Sequence, residues 1–115
     1  MVAGALIGAP LAADAGLCLN MSVEDAREAL VDRKLSYENG AWQEFLTSGR
    51  TLYNAGSDSW GYWELHEDTG SAARYCSQWP PNGDWDCYDL CRTSGPERIH
   101  FLDDYGNSSV GTYAD

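Results

Sequence analysis

A chain of 115 residues with 18 acidic and 7 basic side chains, a formal charge of −11, is the size of one domain and lacks the basic footprint that phosphate backbones or anionic lipid require. Apart from Asp14, the acidic residues run from Glu24 to Asp115 without forming a block, which marks a solvated surface rather than an acidic tail. The length allows a modest core and, on size alone, no substantial internal ligand chamber beside it.

Residues 2–13 are small and apolar, too few to span a bilayer, and Ala13-Asp14-Ala15 follows them as an A-x-A type cleavage site. The segment 1–15 therefore reads as the remnant of a signal peptide and 16–115 as a single β-rich domain whose mature end is Gly16. No Lys or Arg precedes the apolar stretch, so the start of the precursor is expected upstream. The other reading is a loosely packed N-terminal arm. Lipidation of Cys18 is disfavoured by Leu17, because the residue before a lipidated cysteine is normally small.

Ser22 is an N-cap with Asp25 three places on, and Val23, Ala26 and Leu30 recur at helical spacing, so one short amphipathic helix is expected over 22–31. Beyond Lys34 the texture changes to short β-branched and aromatic runs. Turn signals at Asn39-Gly40, Ser48-Gly49, Ala55-Gly56, Thr69-Gly70, Asn82-Gly83, Ser94-Gly95 and Tyr105-Gly106 punctuate them at intervals of roughly ten residues, the rhythm of successive hairpins. Strands are expected over 35–38, 42–46, 50–53, 60–67, 72–78, 85–90, 98–102 and 109–113. Without helices between them they pair antiparallel. Alternation sets Trp63 and Leu65 against Tyr62, Glu64 and His66, and Ile99 and Phe101 against His100. The fold class is mainly β: an antiparallel meander of about eight short strands forming a rolled sheet or small open barrel, preceded by one helix, since rolling hides strand edges.

Four cysteines allow three pairings. Cys76 and Cys87 flank the turn Pro80-Pro81-Asn82-Gly83 symmetrically, and directly opposite positions of a hairpin can meet the geometry of a cystine. Closing that loop of about twelve residues stabilises by roughly 3 kcal/mol on the chain-entropy model. Elimination leaves Cys18 with Cys91. The rival is a zinc site of Cys76, Cys87, Cys91 and a histidine, which lacks the close C-x-x-C knuckles of structural zinc. Cystines belong to oxidising compartments, so a secreted or periplasmic protein is expected.

His66 and His100 are the only histidines. Both are expected on outward strand positions with two strands between them, which favours a solvated face over an acid-base or metal pair. Asp84, Asp86 and Asp89, and Asp103, Asp104 and Asn107, offer oxygen ligands in turns but follow no calcium-loop spacing. No G-x-S-x-G elbow marks a nucleophile, and no metal or cofactor is expected. Five tryptophans and seven tyrosines fill a small β core economically. The sharper reading leaves Trp42, Trp79, Trp85 or Tyr105 exposed as a stacking platform. Trp79, with Gln78 before it and Trp85 across the turn, is the foremost candidate, because Pro80-Pro81 stiffens the loop.

The runs Gly49-Arg50-Thr51-Leu52-Tyr53, Ser59-Trp60-Gly61-Tyr62-Trp63-Glu64, Arg74-Tyr75-Cys76 and Trp85-Asp86-Cys87-Tyr88, followed by Ile99-His100-Phe101, resemble small exported bacterial proteins carrying an uncharacterised β-rich domain, over about residues 30–113. The resemblance implies a cystine in the equivalent hairpin, a periplasmic or secreted location and, for some members, a link to exopolysaccharide production. It carries over no catalytic residue, and Cys18 with Cys91 stands outside its pattern. The expected function is a non-enzymatic binding or accessory module at the cell envelope, with a glycan or an envelope protein as partner and neither nucleic acid nor a membrane span. The alternatives are an acidic inhibitor or partner of a basic envelope protein and, less favoured, an enzyme using His66 or His100.

Overall fold

In the computed structural model, which describes residues 18–68, 70 and 72–115, the chain runs β1 (Leu19–Asn20), α1 (Val23–Leu30), β2 (Lys34–Tyr37), β3 (Trp42–Phe45), β4 (Arg50–Asn54), β5 (Asp58–Glu67), β6 (Ala73–Gln78), β7 (Trp85–Thr93), β8 (Arg98–Leu102) and β9 (Ser108–Tyr113). The expected signal-peptide remnant at 1–15 lies outside the described residues.

Strands β2 to β9 form an antiparallel meander in which each strand pairs with the next, and β2 pairs with β9 through Leu35 opposite Tyr113 and Tyr37 opposite Gly111. The expected meander is thus an eight-stranded barrel that is closed, which removes the free edges altogether. Gly111 permits the closure: a Cβ there would meet the Leu35 side chain at 3.0 Å. The ninth strand, β1, was not expected from the sequence, because two exposed residues carry no periodic signal. It lies beside Arg92 and Cys91, where β7 runs on past the end of β6.

Both cystines pair as expected. Cys76 and Cys87 are register partners, with Cα atoms 4.0 Å apart, and Cys18 is joined to Cys91 across 5.3 Å. With all four cysteines oxidised, the zinc reading is overturned.

One end of the barrel is closed by α1. The Ser22 side chain accepts a hydrogen bond from the Asp25 amide at 3.0 Å, ending the helix with a paired donor, and Ala26, Ala29 and Leu30 turn inward onto Phe45, Trp63, Leu90 and Ile99. Tyr113 straps the helix to β9 by donating to the Ala29 carbonyl at 2.8 Å. Trp63 is 6% exposed, and its indole donates to the Leu46 carbonyl at 2.9 Å, so a buried ring has its one polar atom satisfied. Phe45 sits at the middle of the barrel with ring centroids of Trp63, Tyr75 and Phe101 at 5.6, 5.8 and 6.3 Å. Among the described residues no helix is long and apolar enough to cross a membrane.

Candidate functional site

Among the described residues no helix covers the other end of the barrel. There the strands enclose a chamber of about 740 Å3, walled by Tyr37, Gln43, Tyr53, Tyr75, Trp79, Tyr88 and Phe101 with several serines. This corrects the expectation from chain length. Eight strands give a barrel interior that is either filled by side chains or able to hold one small ligand, and this barrel does the first at its helix end and the second at its mouth. The volume falls in the range of small-molecule sites.

The chamber follows from strand alternation. The residues facing inward near the mouth are Tyr37 on β2, Gln43 on β3, Tyr53 on β4, Ser77 on β6, Tyr88 on β7 and Ser109 on β9. They succeed the apolar inward residues Leu35, Phe45, Trp63, Ala73 and Leu90 of the same barrel. Short hydroxyls and phenols held by hydrogen bonds do not fill space as Leu and Ile do, so the packing opens.

The floor of the chamber is a closed polar network. The Tyr37 hydroxyl donates to Gln43 Oε1 at 2.7 Å, and Gln43 Nε2 donates to Thr51 Oγ1 at 2.9 Å and to the Tyr75 hydroxyl at 3.0 Å. Gln43 and Thr51 are buried, and Thr51 in turn donates to the Glu44 carbonyl at 2.7 Å. A buried network in which every member is paired fixes the rings in place. Burial pushes the Tyr37 and Tyr75 phenols far above their ordinary value, and hydrogen bonds from Ser77 and Gln43 only partly offset this at Tyr75. Tyr88 shifts the same way, chiefly through burial. These three phenols therefore stay protonated in the physiological range.

Trp79, expected as an exposed anchor on a stiff hairpin tip, is instead partly buried and folded into the mouth. Its indole donates to Ser77 Oγ at 3.1 Å and its ring meets Tyr53 edge-on, centroids 6.1 Å apart. Gly61 on β5 makes this possible, since a Cβ there would lie 2.6 Å from the Trp79 ring. The remaining expected aromatics divide. Trp85 is 41% exposed on the outer face and Tyr105 is exposed at the tip of the β8–β9 loop, while Trp42 is partly covered by the Lys34 ammonium 4.1 Å from its centroid. Gln78 points outward and donates to the Gly83 carbonyl at 2.8 Å.

The other candidates are brought to no common place. His66 on β5 contacts Glu64 on the exposed outer face, while His100 on β8 lies beside Thr93 at 3.4 Å. Burial, then Arg98, lowers the pKa of His100. The Asp103 carboxylate is occupied by its own loop, accepting from the Tyr105 and Asn107 amides at 2.9 Å, which holds its pKa below the usual carboxylate range. Asp104 and Asp89 both pair with Arg74, at 2.9 and 2.6 Å. Asp84 and Asp86 lie exposed at the β6–β7 turn. Among the described residues no group of three or more His, Cys, Asp or Glu is placed to hold a metal ion.

Sequence reasoning missed Tyr37, Gln43, Tyr53, Ser77, Tyr88 and Ser109 as chamber walls. Their signal was present as polar residues on the inward side of the alternation, and as Gly61 within an otherwise aromatic strand. Comparison with protein-family models, with curated proteins and with solved structures returns no match to the chain.

Proposed function

We propose that this protein is a non-enzymatic, exported binding module that takes one small organic molecule into the open end of its barrel. The observation that carries the reading is the chamber of about 740 Å3 at the end of the barrel opposite α1, walled by aromatic rings and hydroxyls. Two cystines, together with the resemblance to exported bacterial domains, support the compartment. The test is ligand-observed NMR and calorimetry against a panel of small glycans, neutral aromatics and organic ions. Binders should be lost in Ser109→Trp, which points an indole into the chamber from β9 and should leave the melting temperature unchanged or raised. A panel without binders, or binders indifferent to Ser109→Trp, would sink the proposal.

A second reading, an extended glycan on the outer wall, is favoured by one feature. Arg50, Tyr62, Gln78 and Trp85 are register partners on four successive strands, all facing outward. Tyr62 and Trp85, each more than two-fifths exposed, therefore stand two strand spacings apart, about 9.5 Å, with an amide between them. Such a row suits stacking against alternate sugars. A glycan array on the wild type and Trp85→Ala tests it, and a binder that tolerates Trp85→Ala would exclude this face.

A further inference from the structure

We infer that the chamber selects an organic cation of the quaternary or alkylated ammonium class, held over ring faces. This rests on the reading of the chamber as a ligand site and sharpens it. Six rings, those of Tyr37, Tyr53, Tyr75, Trp79, Tyr88 and Phe101, form a nearly continuous wall. Their centroids are linked at 6.3 Å from Tyr37 to Tyr53, 6.1 Å from Tyr53 to Trp79, 6.2 Å from Tyr37 to Phe101, 5.2 Å from Phe101 to Tyr75, and 6.1 Å from Tyr75 to Tyr88. Ring faces carry the negative lobe of the aromatic quadrupole, and a cation within about 6 Å of several of them is attracted without an ion pair.

Three observations separate a cation from the other ligand classes. First, among the described residues that line the chamber there is no Lys, Arg or His, and the one ionisable carboxylate, Glu38, lies exposed at the mouth. A buried anion would be desolvated there with no counter-charge. Second, the deep polar groups that a sugar would need are already engaged with one another: Gln43 with Tyr37, Thr51 and Tyr75, and Ser77 with the Trp79 indole. Third, the chain carries a formal charge of −11, so its net field attracts cations and speeds their capture.

The molecule's own cations show the same preference on its outside. Arg33 lies 3.8 Å from the Tyr113 centroid, Lys34 4.1 Å from that of Trp42, and Arg50 5.0 Å from that of Tyr62. The upward shift of the Tyr37 and Tyr75 phenols is consistent with attraction by neutral rings rather than by a phenolate.

The experiment uses the intact, disulfide-bonded chain and three probes of one shape: the (4-hydroxybenzyl)trimethylammonium ion, 4-neopentylphenol with carbon in place of nitrogen, and 4-hydroxybenzylsulfonate. Calorimetry should find the cation at least about tenfold tighter than its neutral twin and the sulfonate undetectable. Ser109→Trp should abolish cation binding. Tyr88→Leu should erase most of the preference and Tyr88→Phe, which keeps the ring, should retain it, with circular dichroism confirming that both fold. Equal affinity for the cation and its neutral twin overturns this inference and leaves the chamber a general small-molecule site. Tight cation binding that survives Ser109→Trp places the site elsewhere and overturns it too. If none of the probes binds and the broader panel is also silent, both readings fall.

Discussion

The two ends of the barrel are built from the same eight strands and differ in which residues alternation turns inward and in the helix that closes one of them. At the helix end these are Leu35, Phe45, Trp63, Ala73, Leu90 and Ile99, closed over by Ala26, Ala29 and Leu30, and all of them are buried. At the mouth they are Tyr37, Gln43, Tyr53, Ser77, Tyr88 and Ser109, and about 740 Å3 stays open. Hydrocarbon side chains interdigitate to crystal-like density. Phenols and serines must also satisfy hydrogen bonds, and the geometry that satisfies them holds rings apart. One end of the barrel therefore carries the stability that lets the other stay hollow.

The largest expected contrast lies between two tryptophans. Trp63→Ala removes a buried indole from the packed end and should cost roughly 3 to 5 kcal/mol. Denaturant titration measures it. Separating Cys76 from Cys87 by a double Cys→Ala change comes next, at about 3 kcal/mol by loop-closure entropy, and non-reducing mass mapping of the wild type should show both bridges. Trp79→Ala should cost only about 1 to 2 kcal/mol, because its ring already borders open space and a truncated side chain there leaves a larger hollow rather than a new void. It should weaken ligand binding instead. If melts reversed the order of Trp63 and Trp79, the division into a packed and a hollow end would be wrong.

The packed end was largely legible in the sequence, because the hydrophobic effect writes itself as period: Trp63 with Leu65, Ile99 with Phe101, and the helix from its serine cap to Leu30 all lie as alternation and capping predict. The hairpins were legible from their glycines, and Cys76 opposite Cys87 from the symmetry of the turn between them. The hollow end was not. Tyr37 and Tyr53 read equally well as core or surface, and only closure of β2 onto β9, a contact between distant parts of the chain, makes their inward side a chamber. Trp79 was misplaced for a related reason. Pro80-Pro81 does stiffen its loop, but stiffness does not say which way the ring points. That is decided by the absent side chain at Gly61, eighteen positions earlier and adjacent only through the pairing of β5 with β6.

The last contrast, absent at neutral pH, separates the two ends by titration. Tyr75 is almost fully buried in the chamber floor and its phenol is raised far above the ordinary value of 10, chiefly by burial, as is that of Tyr37. In the unfolded chain the same phenol loses its proton near pH 10. Above that value the unfolded state binds fewer protons than the folded one, so stability falls as pH rises; below it, both states are protonated and Tyr75 contributes no slope. Each pH unit above 10 should thus remove about 1.4 kcal/mol for Tyr75, with Tyr37 acting in the same direction. Denaturant melts between about pH 9 and pH 12, with tyrosinate absorbance followed in parallel, should show these phenols silent until the barrel opens. Tyr75→Phe, which keeps the ring and leaves Gln43 bonded to Thr51 and Tyr37, should flatten the slope by about one proton while Trp63→Ala shifts the whole curve without changing it. A wild-type slope equal to that of Tyr75→Phe would mean that the chamber floor is wet enough to ionise. The dry, fully paired network drawn for Tyr37, Gln43, Thr51 and Tyr75 would then be wrong.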